Sequence, residues 1–265
     1  MHKRHVIIHY HFFKNAGTSL DHILKKAFPQ AWMQMEADEQ GPVTAERMLG
    51  EFANKPELKV ISSHTARLSL PRTDDVQIYP VVFIRHPLDR VLSVYQFERK
   101  QTQDTEGSIQ ARKLDLPEFV TWRLDRPRDT SFRNFQCHRL AGLANGSAEQ
   151  DIFQRGLKGL QSLPYVGMVE AFDPSIALLQ NWLQTGFPGL RLETAKLNVT
   201  QSEDSSLSGR LAHLKTCLGN ELYAQLVKEN EADLGLYRHV AQMYDRLLER
   251  EATGRYAIAN PPNPA

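Results

Sequence analysis

This chain has little of several things, and each shortage excludes something. Two cysteines, Cys137 and Cys217, are all that 265 residues contain. They lie far apart and match neither a disulfide framework nor a metal-ligand spacing, so two reduced thiols are expected. Charge of one sign is also scarce: 32 Lys and Arg stand against 31 Asp and Glu, a formal net charge of +1. Any polyanion must therefore be met by a local patch, and bulk nucleic-acid binding is not expected. No apolar run approaches the roughly 18 residues that span a bilayer. The N-terminus has neither the h-region nor the small-residue cleavage site of a secretory signal, so a cytoplasmic protein is expected. There is no internal repeat, and the tail "NPPNPA" reads as disordered, which leaves one domain over residues 1–250 and a tail over 251–265.

What is present is alternation. Residues 5–10 form a short apolar run rich in β-branched residues. A turn follows, then an amphipathic helix whose Leu20, Ile23, Leu24 and Ala27 share one face. A helix is expected near 45–53, a second strand at 58–62, and a third at 78–84, where the run is continuously apolar as a parallel strand covered on both faces should be. The segment "YVGMVEAFDPSIALLQNWL" repeats strand, turn and helix, with Asp173 as N-cap and Pro174 at the first helical position. Residues 204–250 read as helices. Strands alternating with helices predict an α/β domain around a mostly parallel sheet, with a helical C-terminal part. Such sheets bind ligands at the carboxyl ends of their strands.

Two segments fall at such strand ends. In "HYHFFKNAGTSLDHIL" the chain leaves a strand, passes Lys14, Asn15, Ala16, Gly17, Thr18 and Ser19, and enters a helix at Thr18 or Ser19. Free amides and the positive helix end would point into the crevice, which suits an anion. Gly17 admits close backbone approach, the two hydroxyls donate, and Lys14 adds charge. The loop is not a Walker A motif, because Lys14 precedes the glycine rather than following it. An ordinary capped helix start with a surface lysine would read the same way. In "FIRHPLDRVLSVYQFER" Arg85 leaves a strand, Pro87 opens a helix and Ser93 follows on it. Arg85 and Ser93 could meet one phosphate, or Asp89 and Arg90 could be mere solvated charges at a helix start.

Together the two segments resemble those of sulfotransferases that use 3′-phosphoadenosine 5′-phosphosulfate (PAPS). "FKNAGTS" is similar to the 5′-phosphosulfate loop and "IRHPLDRVLSVYQFER" to the 3′-phosphate segment. Within that group the chain looks most like glycan O-sulfotransferases of the heparan and uronyl 2-O type and their bacterial relatives. "ISSHTA", "YVGMVEAFDPSIALLQ" and "ENEADLGLYRHV" support the likeness over residues 5–250. The resemblance implies a three-layer, P-loop-like fold and an O-sulfotransferase acting on a carbohydrate-like hydroxyl. It implies PAPS as donor and the bisphosphate PAP as product. Residues 14–19 would hold the 5′-phosphosulfate, and Arg85 and Ser93 the 3′-phosphate. "KLNVT" around Asn198 would close over the cofactor, or be a surface turn.

In such chemistry the work is in-line positioning and charge stabilisation, for which no metal is needed. Lys14 would stabilise the leaving nucleotide and His64, in "ISSHTA", would be the general base. In the eukaryotic 2-O enzymes a second histidine lies two residues earlier, where this chain has Ser62. His2, His5, His9, His11 and His22 crowd the N-terminus, but strand alternation argues against a metal site there. Arg133 and Arg139 are candidates for an anionic acceptor, or else part of a solvated face in which Asp125 and Asp129 interleave. A kinase-like phosphotransferase would share the loop-helix logic, but it lacks here the Walker lysine and an acidic Mg²⁺ site. A non-catalytic nucleotide or glycan-binding module would need no base. The sequence leaves homo-oligomerisation open.

Overall fold

The computed structural model describes residues 3–70, 73–144, 151–194 and 206–252. Its centre is a four-stranded parallel sheet, in the order β2 (Trp32–Gln34), β3 (Val60–Ser63), β1 (Arg4–Tyr10), β4 (Val76–Val81). Two short strands, β5 (Phe83–Ile84) and β6 (Gly167–Met168), pair in parallel beside it. The expected third strand is thus divided near Val82: its first part pairs with β1, and its second turns to β6, with the Gly167 amide donating to the Val82 carbonyl at 2.8 Å. Pro80, which has no amide hydrogen, sits in β4 at the edge of the four-stranded sheet, where a missing donor costs least. The three-residue β2 has too short an apolar run to be read from sequence.

Side-chain alternation along β1 sorts its residues between two cores. Val6, Ile8 and Tyr10 join one core with Phe52, Leu140, Leu236 and Val240. Ile7 joins another with Leu20, Ile23 and Leu24 of α1 (Gly17–Ala27) and with Leu179 and Leu183 of α8 (Phe172–Leu183). Both faces are covered, hence the continuously apolar strands. Burying each of the α1 leucines contributes on the order of 2 kcal/mol. α2 (Ala45–Asn54), capped by the Thr44 side chain, links β2 to β3. α3 (Pro87–Lys100) follows β5 and packs with α4 (Glu106–Lys113), α5 (Leu116–Leu124) and the long α9 (Leu207–Glu229) around a third cluster that includes Val91, Phe119, Phe132 and Leu214.

α6 (Phe135–Leu140), α7 (Ile152–Gln161) and α10 (Glu231–Ala252) complete the helical part, and α9 is interrupted at Gly219, whose φ of 73° no helix accommodates. At α8 the expected cap is displaced. Ala171 is the N-cap, and Asp173 and Pro174 lie inside the first turn, because the 3-10 turn over 169–171 runs straight into the helix. Both cysteines are free. Among the described residues no helix is long and apolar enough to cross a membrane. The tail beyond Ala252 and the segment around Asn198 lie outside the described residues.

Candidate active site

The anion loop hangs between β1 and α1, and its backbone is unusual. Lys14 and Ala16 both adopt left-handed φ, 63° and 59°. Holding non-glycine residues there costs energy that surrounding contacts must offset. Asn15, between them, supplies those contacts. Its side-chain amide, 1% exposed, donates to the Phe83 carbonyl at 2.7 Å and to Gln136 Oε1 at 2.8 Å. The Asn15 side-chain nitrogen therefore anchors the loop to β5 and α6. Ala16 is the α1 cap and offers no side-chain acceptor to the first amides, of which Ser19's already donates to the Ala16 carbonyl at 3.1 Å. Thr18 is exposed and Ser19 half-buried, as hydroxyls serving a ligand would be.

Gly17 is needed for a reason other than ligand approach. A Cβ there would sit 2.1 Å from the His11 ring. The His11 ring is packed on its other side by His64, whose ring centroid is 3.7 Å away. His11 thus contacts both Gly17 at the start of α1 and the His64 ring. His64 is exposed, and its Nδ1 lies 2.8 Å from Glu36 Oε1. The same carboxylate accepts from the His64 and Thr65 amides at 3.1 Å each and from the Thr65 hydroxyl at 2.8 Å. Burial raises the Glu36 pKa, but these bonds outweigh it and bring it to about 2. A fixed carboxylate on Nδ1 leaves Nε2 as the basic nitrogen, the arrangement a general base requires. Ser62 bonds His9 Nδ1 at 3.0 Å, and the imidazole beside His64 is that of His11, one residue past the end of β1.

Arg85 leaves β5 and reaches back to the loop, where its Nη1 donates to the Lys14 carbonyl at 2.9 Å. Gln136 completes the junction: its Oε1 accepts from the Arg85 amide and its Nε2 donates to the Arg85 carbonyl, both at 2.9 Å. One buried glutamine therefore holds both motifs. Lys14 lies with Nζ 4.7 Å over the Phe97 ring, and burial lowers its pKa, assisted by the nearby charges of Arg85 and Lys100. Ser93 is half-buried on α3.

Asp89 and Arg90 are not solvated charges: they are 2% and 0% exposed. Asp89 bridges Arg85 at 2.8 Å and Arg210 of α9 at 2.6 Å, and Arg90 lies over the Phe135 ring. The two arginines proposed for an acceptor have other partners. Arg133 donates to Glu229 at 2.7 Å and to backbone carbonyls of Leu124 and Arg126, tying α5 to α9. Arg139 donates to the Ala66 carbonyl at 2.9 Å and the His64 carbonyl at 3.3 Å, with its guanidinium over Phe12. It buttresses the His64 loop. The interleaved acids Asp125 and Asp129 divide likewise, for Asp129 pairs with Arg123 at 2.8 Å.

Sequence reading missed Glu36, Gln136 and Arg210. Glu36 follows a strand too short to recognise, Gln136 is one uncharged residue on a helix, and Arg210 is distant along the chain.

A parallel sheet with a lysine-bearing loop at the end of β1 and an arginine motif beside it has both motifs at the carboxyl ends of its strands, where α/β domains bind their ligands. The sequence pattern of the Sulfotransferase family matches residues 1–162. An uncharacterized protein of Archaeoglobus fulgidus is 34% identical over 248 residues, which cover 91% of this chain and 98% of that protein. The chain belongs to the sulfotransferase family, and the reaction class is sulfuryl transfer.

Proposed function

We propose that the protein transfers the sulfuryl group of PAPS to a hydroxyl of a carbohydrate-like acceptor. The observation that carries this reading is the placement of His64, oriented by Glu36 and packed through His11 against Gly17, at the edge of the anion loop. The donor site fits a nucleotide with phosphates at both ends. Uncapped α1 amides, Lys14, Thr18 and Ser19 would hold the 5′-phosphosulfate, and Arg85 and Ser93 the 3′-phosphate.

When bound, PAPS supplies an activated sulfuryl group. Lys14, desolvated and beside Arg85, offers its charge where the departing nucleotide becomes more negative, and a donor that strengthens only there lowers the barrier directly. His64 Nε2 removes the acceptor's proton, and Glu36 stabilises the imidazolium that results. Asn15 and Gln136 keep both motifs in register, so that positioning is built in before the donor arrives.

Labelled sulfate transfer from PAPS to a panel of glycans, lipids and phenols tests the reading. Transfer to a glycan hydroxyl is expected, with His64→Ala retaining PAP binding while losing about 10²- to 10⁴-fold in turnover. Transfer confined to phenols or lipids would overturn the acceptor class, and full turnover in His64→Ala would remove it as base. Arg85→Ala should weaken PAP binding far more than binding of adenosine 5′-phosphosulfate, which lacks the 3′-phosphate. Equal losses by calorimetry would refute that assignment.

A further inference from the structure

Next to the anion loop lies a buried cluster that sulfuryl transfer does not use. His9 and His11 are two residues apart at the end of β1 and so share a face, the one covered by α1. Because Leu20, Ile23 and Leu24 seat α1 on that face, Asp21 is delivered between the two rings. Its Oδ1 lies 2.7 Å from His9 Nδ1 and its Oδ2 2.8 Å from His11 Nδ1. The three ligand atoms all lie within 4.8 Å of one another. The imidazoles are 1% and 5% exposed as residues, whereas the Asp21 side chain keeps 18% of its surface.

We propose that His9, His11 and Asp21 form a binding site for one divalent transition-metal ion of the zinc type, which fastens the end of β1 to the first turns of α1 across the anion loop. Two imidazole nitrogens and one carboxylate oxygen are borderline donors that suit Zn²⁺, Co²⁺ or Ni²⁺, whereas Mg²⁺ and Ca²⁺ seek mostly oxygen. Ligands about 2.0 to 2.1 Å from a tetrahedral ion stand about 3.3 Å apart, so on binding the two Asp21 contacts open by about half an ångström while the two imidazole nitrogens adjust to the same spacing.

The surroundings already hold the ligands in place. Ser62 Oγ is 3.0 Å from His9 Nδ1, and the His11 ring is wedged between Gly17 and His64. Packing of this kind fixes the His11 ring, whereas the Ser62 hydroxyl meets the same His9 nitrogen that would ligate and would turn away from it when the ion binds. The Asp21 side chain, with 18% of its surface open, is the route by which an ion and a water as fourth ligand would reach the site. Metal-free, each Nδ1 hydrogen is donated to one carboxylate oxygen. With the ion bound, both Nδ1 atoms present lone pairs instead, and the ring protons reside on Nε2. The strand alternation that argued against a metal site disperses neighbouring histidines, but it aligns those two apart.

The test uses untagged, chelator-stripped protein titrated with Co²⁺ and Zn²⁺. Uptake of one ion per chain is expected, with the visible absorption of four-coordinate Co²⁺ and a Zn²⁺-dependent rise in Tm. His11→Ala and Asp21→Ala should weaken uptake about a hundredfold or more, beyond what loss of an outer partner produces. His22→Ala, an exposed neighbour, should not. If the alanine variants fail to fold, His11→Gln and the Co²⁺ spectrum of the unaltered chain decide. Absence of stoichiometric uptake, or uptake that survives loss of Asp21, would overturn the site and leave a hydrogen-bonded clamp.

Discussion

The two halves of the donor site are held in opposite ways. The loop over 12–19 is held mostly by neutral groups, Asn15 and Gln136 bonding to each other and to backbone, with Arg85 as its one charged donor, and the Lys14 ammonium lies over an aromatic face. The Arg85 half is fixed by ions, with buried Asp89 shared between Arg85 and Arg210. Among the described residues no carboxylate pairs with Lys14, so on the proposed reading its charge is left for the ligand, as transition-state stabilisation would require. An arginine that must bind a phosphate and release it can share its charge with an aspartate in the meantime. On the proposed reading, the first half would serve catalysis and the second binding.

The comparison is broken most severely at Lys14. Lys14→Ala should lower kcat by roughly two to three orders of magnitude while changing PAP affinity much less. Steady-state kinetics together with calorimetry checks this, and unchanged kcat would end the contrast. In the ionic half, Asp89→Ala should reduce stability by about 2 to 3 kcal/mol. That is below the loss for a fully buried pair, because Arg210 still reaches solvent. Chemical denaturation would measure it, with kcat on saturating donor expected to change little among folded molecules.

Gln136→Ala removes the residue common to both halves. It leaves the Asn15 amide and the Arg85 amide each short of an acceptor, at a cost of about 1 to 3 kcal/mol, and should weaken both halves together. A loss confined to one half would show that they are separately anchored.

The smallest effect concerns His86, which is 9% exposed against the Tyr237 ring. Burial lowers its pKa against the pull of Asp89, and the Arg210 and Arg85 charges add to that, bringing it to about 4. The unfolded chain then binds the extra proton first, so stability falls as pH drops from about 6.5 to about 4. Denaturation midpoints across that window should slope in the native chain and flatten in His86→Asn.

Local chemistry was legible wherever it depends on near neighbours in the chain. The β1-loop-α1 unit, the apolar face of α1 and the start of α3 at Pro87 all follow from periodicity and punctuation within a dozen residues. So did the two cationic motifs, whose residue types and spacing point to anions. The division of the third strand at Val82 was not legible, since only the arrival of Gly167 from far along the chain draws β5 away. The burial of Asp89 and Arg90 was equally hidden, because a charge reads as solvated until its partners are known.

By itself, then, the sequence determined the α/β class and put forward the loop with Lys14 and the candidate base His64, because each is written in contiguous residues. Tertiary structure alone decided that Gly17 makes room for His11, that Glu36 orients His64, that Gln136 joins the two motifs and that Asp21 meets His9 and His11. These are contacts between residues 6 to 121 positions apart. Parallel strands and the helices that cover them bring such groups together only when the sheet is assembled, and no local pattern encodes the register.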